Sequence, residues 1–152
     1  MVASVRPADL VDAAALAELR WRWRVEERGE TGMDHDTFVA AFTAWMAEHA
    51  GSHHAWLAEA SAEAVGMAWL AVVNRVPGPG RWLRLSGNLQ SVYVIPERRG
   101  AGVGRLLVDA AIAMARDSGI DYVSVHPSER SFPLYRRARF NDYPGVLELR
   151  WD

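Results

Sequence analysis

At 152 residues, half of them hydrophobic and 24% charged, the chain has the make-up of one soluble globular domain large enough to bury a substantial core. A net charge of −2 leaves no basic surplus to neutralise a run of phosphates, so no nucleic-acid partner is expected. Cysteine is absent, which excludes disulfides, a thiol nucleophile and cysteine metal sites, and no metal is expected.

Residues 1–152 read as a single domain without repeats. The first six residues lack the apolar stretch of a secretory signal, and no run is long enough to span a bilayer. The expected compartment is the cytoplasm, with no membrane partner. A first strand is predicted over 4–7, followed by Asp9 or Asp12 as a helix cap. Apolar residues such as Leu16, Leu19 and Trp23 recur at helical spacing from 13 to 28, and Gly29 to Gly32 break the pattern. Asp34 or Asp36 caps a second helix over 37–49. Two strands, 54–59 and 65–73, are joined near Ala62, and Pro77-Gly78-Pro79-Gly80 marks a loop. A strand over 88–95 stops at Pro96. Val103, Leu106, Leu107, Ala110, Ala111 and Met114 then form a regular helical stripe ended by Gly119. A strand over 122–126, a short helix over 131–138 and a closing strand over 146–151 complete the pattern.

Between the strand at 88–95 and the helix after it lies Glu97-Arg98-Arg99-Gly100-Ala101-Gly102-Val103-Gly104-Arg105. Alternating glycines let the backbone approach a ligand closely and aim successive N–H groups at one point. The positive end of the following helix adds to this, so the turn reads as an anion site. A dinucleotide fingerprint is excluded by spacing, since its third glycine would fall on Arg105. A nucleotide P-loop is excluded because the chain contains no lysine. What remains is R-x-x-G-x-G, from Arg99 to Gly104.

This motif resembles the pyrophosphate-binding turn of the GCN5-related N-acetyltransferases, the GNAT superfamily. A second segment strengthens the likeness: Leu134-Tyr135 and Phe140 match the Leu-Tyr and final Phe of a family segment. Ser128 stands where the family often has Asn, Ser131 where it has a small residue, and Arg139 where it has Gly. The resemblance is loose over the whole chain and close over 89–140. It implies an α/β fold, a mixed and mostly antiparallel central sheet with helices on both faces, in the order β-α-α-β-β-β-α-β-α-β.

It also implies acetyl-CoA as acyl donor. The backbone of Gly100, Ala101, Gly102, Val103 and Gly104 would hold the pyrophosphate, with Arg98, Arg99 and Arg105 around it. The strand edge at Val92, Tyr93 and Val94 would pair with the pantetheine arm like an added strand, and Ser128 and Ser131 would also contact the coenzyme. A bulge in that strand would free an N–H near Val94 for the thioester oxygen. Tyr135 occupies the family's general-acid position and is the expected catalytic residue, acting best as a hydrogen-bond donor to the leaving sulfur. The acceptor is a small-molecule or peptide primary amine. As an alkylammonium of pKa ~10.4 it is neutral about one part in 10³ at pH 7, so a proton must be removed at roughly 4–5 kcal/mol. Gln90 and Ser91 could only hold a water, Glu97 faces solvent, and His126, an imidazole of suitable intrinsic chemistry, reads more simply as a strand-end histidine with a local hydrogen bond. Trp23, Glu26, Glu27 and Glu30 form an acidic, aromatic group suited to a cationic amine. The resemblance allows a homodimer without fixing one. The competing reading is a non-catalytic acyl-CoA-binding or sensory module on the same fold, which would need neither Tyr135 nor an acceptor pocket.

Overall fold

The computed structural model describes residues 2–151. Five strands form one sheet in the order β1-β2-β3-β4-β5: β1 (Ser4–Ala8), β2 (His53–Ala60), β3 (Glu63–Asn74), β4 (Leu85–Val94) and β5 (Val123–Val125). The first four pair antiparallel, and β5 joins β4 in parallel. Every residue of β3 from Val65 to Ala71 is buried, which requires cover on both faces of the sheet.

The parity of β3 assigns that cover. Gly66 lies so close to Leu107 of α3 (Val103–Asp117) that a Cβ would meet Leu107 Cδ1 at 3.1 Å. Trp69, three residues on and therefore on the other face, meets Phe42 of α2 (His35–Glu48) edge to ring at 5.8 Å. The sheet thus carries α3 on one side and α2 on the other, with α1 (Ala13–Trp21) packed against α2 and β3.

Local chemistry accounts for the element ends. Asp9 accepts from Val11 N–H at 3.1 Å while Asp12 accepts from Asp9 N–H at 3.0 Å, a reciprocal cap on the turn leading into α1. Asp34 caps α2 through Thr37 N–H at 2.9 Å. The predicted helix over 13–28 forms but changes character: after Trp21 it runs as a π-helix over Arg22–Glu27. The link between β2 and β3 turns on Ser61 and Ala62, both at positive φ (+52° and +64°). The short α4 (Phe132–Arg137) accepts Pro133 in its first turn.

The closing strand expected over 146–151 is not formed. Its alternating apolar residues favour a strand, but a strand also needs a partner, and this segment makes no ladder with β5. Leu147, Leu149 and Trp151 stand exposed, and Glu148 is held by His126 and Arg150 instead. No helix among the described residues is long and apolar enough to cross a membrane.

Candidate active site

The centre of the site is the open side of β4. Its pairing with β5 covers only Gly87 to Leu89, and beyond Leu89 the two strands part. The register with β3 slips in the same place: Trp69 faces Gln90 and Met67 faces Tyr93, so Ser91 and Val92 share the place opposite Ala68. Ser91 absorbs this bulge at φ +51°. Ile95 N–H bonds back to Val65 O at 2.9 Å, so alternation along the backbone turns the Val94 N–H to the open side. The edge there carries backbone donors and acceptors suited to an extended ligand.

From this edge the chain enters the glycine turn. Gly100 and Gly102 adopt φ of +80° and +85°, with open space where a side chain would stand. Gly102 is the N-cap of α3 and offers no side chain to cover the helix end. The first α-helical bond of α3 is Leu106 N–H to Gly102 O, 3.1 Å. The N–H groups of Val103, Gly104 and Arg105 are therefore left without intrahelical acceptors. Arg105 is paired with Asp109 at 2.8 Å. Arg99 is anchored twice, to Val94 O and to Glu27, each at 2.9 Å. Arg98 has no acidic partner among the described residues and is the free cation at the turn.

α4 closes the third side. A Cβ on Gly104 would touch Leu134 Cδ2 at 3.5 Å and Val94 Cγ2 at 3.9 Å, so the end of β4, the start of α3 and α4 converge. Tyr135 follows Leu134. Its ring is 5% exposed and meets Phe140 edge to ring at 5.5 Å. The hydroxyl has no protein partner among the described residues, yet it is not a sealed, unsatisfied group and so keeps contact with solvent. Burial pushes the phenol up to about 12, which keeps it protonated throughout the working range. Ser128 and Ser131 bond each other at 3.0 Å ahead of α4, and the Ser131 hydroxyl also donates to Ser128 O.

The residues expected to bind the acceptor do not gather around one cavity. Trp23 stacks on Tyr93 (5.4 Å, 14° between planes) and carries the guanidiniums of Arg20 and Arg28 at 5.2 and 5.3 Å. Glu27 accepts from the Tyr93 hydroxyl and from Arg99. Burial works to raise the Glu27 pKa, but these two bonds outweigh it and hold it low. Glu30 is bonded to Arg24 at 2.7 Å. Glu26 lines a separate cavity of about 250 Å³ with Glu18 and Arg22. Glu97 is ion-paired with Arg22, and His126 sits 3.2 Å from Glu148.

A different cavity opens at the bulge. It measures about 260 Å³ and is lined by Phe42, Trp45, Trp69, His53 and Arg20, with Gln90 and Ser91 from β4. Trp45 stands 5.9 Å from Trp69 and 5.0 Å from His53, ring to ring. Arg20 donates to Ser91 Oγ at 2.8 Å. Burial, followed by His49 and His54, lowers the pKa of His53, so it is neutral at pH 7. Neither Arg20 nor His53 stands out in the sequence. The only cue is that helical spacing puts Phe42 and Trp45 on one helix, which reads as ordinary core.

The model of the acetyltransferase (GNAT) family matches residues 13–140, most of the chain. The chain belongs to this family. The GNAT chain is 31% identical over 85 residues to the glucosamine 6-phosphate N-acetyltransferase of Trypanosoma brucei brucei, covering 56% of each protein. It is 35% identical over 99 residues to the mycothiol acetyltransferase of Thermobispora bispora, covering 63% of this chain and 30% of that one. It therefore spans about half the length, or less, of these curated relatives. Among solved structures, a predicted acetyltransferase from Clostridium acetobutylicum, crystallised with acetyl-CoA, has the same fold: TM-score 0.79 and 22% identity, covering 98% of this chain and 96% of that one.

Proposed function

We propose that this GNAT-family chain is an N-acetyltransferase that moves an acetyl group from acetyl-CoA to a primary amine by direct attack on the thioester. The carrying observation is the continuity of an unpaired β4 edge, a bulge and an uncapped glycine turn at the head of α3. A pyrophosphate ester with an extended amide arm fits these residues. The turn offers free N–H groups and space that no side chain fills, and the edge offers strand-like hydrogen bonds.

Bound there, acetyl-CoA supplies an activated acyl carbon: the amine forms a C–N bond to it, the C–S bond breaks, and an amide and a thiolate result, the thiolate taking its proton from solvent. The Val94 N–H, on the open side, supports the oxygen that gains negative charge. Tyr135 donates a hydrogen bond to the leaving sulfur without surrendering its proton. That transfer would be uphill by roughly 5 kcal/mol from a phenol at about 12 to a thiolate of ordinary pKa ~8.5. The proton lost by the amine goes to His53, the neutral imidazole lining the cavity at the bulge. Tyr135 and this cavity speak for an enzyme over a module that only binds acyl-CoA.

The test is calorimetric titration with acetyl-CoA, wild type beside Gly102→Glu. The added carboxylate occupies the anion position and strains a φ of +85°. Binding by the wild type that the variant loses supports the donor site. No binding by folded wild type overturns it.

A further inference from the structure

The cavity at the bulge has one persistent charge, and it is positive. Arg20 is half-buried, and among the described residues no carboxylate lies within ion-pair distance of it. Glu30 acts on Arg20 from a distance but is hydrogen-bonded to Arg24. Burial, together with Arg24 and Arg28, works against the charge of Arg20. One N–H is used on Ser91 Oγ, and the guanidinium has five such donors. The guanidinium also lies over the Trp23 ring at 5.2 Å, which offsets part of the cost of its burial but supplies no counter-ion, and that is what a bound anion adds. His53 adds no charge of its own at neutral pH, and the remaining lining is aromatic except for Gln90 and Ser91.

We infer that the acceptor, on the reading proposed above, is a small primary amine that also bears a carboxylate: the carboxylate pairs with Arg20, and the apolar body lies among Phe42, Trp45 and Trp69. A planar guanidinium matches a carboxylate in a two-point pairing. A single guanidinium meets a single negative charge, which favours a carboxylate over a phosphate dianion. The volume of about 260 Å³ lies below the ~300–1,000 Å³ typical of drug-sized ligands, so the acceptor is a small molecule. Of the three acids expected from sequence to attract a cationic amine, Glu27 is engaged with Arg99 and Glu30 with Arg24, and Glu26 lines the other cavity. Specificity therefore rests on the anion and the aromatic body, and the amine is left to point at the bulge.

Two readouts test this, with wild type, Arg20→Gln and Arg20→Lys checked for folding by circular dichroism. Phenylalanine and phenylalaninamide are first titrated against the protein by tryptophan fluorescence, since Trp45 and Trp69 line the cavity. Free-thiol release from acetyl-CoA is then compared for phenylalanine against phenylalaninamide, and for β-alanine against O-phosphoethanolamine. The expected result is that the wild type binds and turns over each carboxylate at least about 10-fold better than its counterpart. That factor corresponds to one charge-assisted contact of about 1.4 kcal/mol. Arg20→Gln should erase the preference through KM, and Arg20→Lys should restore part of it. Equal or better use of phenylalaninamide, a preference for the phosphate, or a carboxylate preference that survives in Arg20→Gln overturns the inference. So does failure of wild type to bind phenylalanine at millimolar concentration. Failure of acetyl-CoA to bind the same preparation is a separate outcome, which overturns the donor reading instead.

Discussion

Arg99, at the head of the glycine turn, and Glu27, at the end of the π-helix, are joined at 2.9 Å across 72 positions of sequence. A pair of opposite polarity, Arg22 with Glu97, links the same two segments. Tyr93 completes the junction by donating to Glu27 from within β4. The segment following α1 and the turn that would hold the donor are thus fastened to one another by crossed charges.

Glu27→Gln should loosen that junction. Its carboxylate accepts from a phenol and a guanidinium, and hydrogen bonds to charged groups are each worth about 1.5–3 kcal/mol. Partial exposure reduces this, so a loss of roughly 1–2 kcal/mol in unfolding free energy at pH 7 is expected. The Glu27 pKa in the fold lies below its ordinary 4.5, so its contribution is complete above that value and is lost as pH falls through the lowered one. Urea titrations of both proteins should diverge at pH 7 and converge only as pH falls through the lowered Glu27 pKa. Coincident stabilities at every pH would mean that Glu27 adds nothing.

Tyr135→Phe should lower kcat by about 10- to 100-fold, the value of one hydrogen bond to developing charge. The donor dissociation constant should stay unchanged, because in the proposed mechanism the hydroxyl serves the leaving sulfur and not the binding of the donor. With the phenol pushed up to about 12, the wild type should show no alkaline loss of kcat below pH ~11 that Phe abolishes. A Tyr135-dependent limb near pH 8–9 would instead make it a true proton donor.

The turn between β2 and β3 offers a stability prediction free of the site. Ala62 sits at φ +64°, where an L side chain is disfavoured by about 1–2 kcal/mol and glycine is not. Ala62→Gly also makes the unfolded chain more flexible, which offsets about 0.4–1 kcal/mol. A net rise in Tm of roughly 2–4 °C is expected by calorimetry. Gly66→Ala should act in reverse: its Cβ would meet Tyr93 O at 2.9 Å, and such overpacking destabilises by about 1–3 kcal/mol.

What could be read from the sequence was what local signals encode. The glycines at 100 and 102, the apolar run before them and the stripe of α3 are each specified within a few residues, and all three formed. The π-helix was not legible, because a shift to wider turns leaves the apolar pattern of 13–28 largely intact. Glu27 and Glu30 looked free beside Trp23, since nothing near them reveals that Arg99, 72 positions away, takes Glu27. The cavity at the bulge draws on α1, α2, β2, β3 and β4, so Arg20 and His53 had no local signature. The segment 146–151 shows the opposite failure: its alternation is sound, but the partner that would make it a strand is missing.

His53 carries the last prediction. It lines the cavity with Arg20 and Ser91, bonds Ser52 Oγ through Nδ1 at 2.8 Å, and is held neutral at pH 7 by burial, then by His49 and His54. A base that must accept a proton is useful only while unprotonated, so kcat/KM should fall on the acid side with a midpoint below the ordinary 6.5. His53→Gln keeps a polar group of similar reach but cannot take up a proton. It should lower kcat at pH 7 by about 10²-fold and remove that acid limb, leaving only the slope due to ionisation of the amine itself. Because the glycine turn proposed to hold acetyl-CoA is not part of this cavity, donor affinity should not change. A variant with wild-type kcat and an unaltered pH profile would exclude His53 as the base and leave the proton to water held at Gln90 and Ser91.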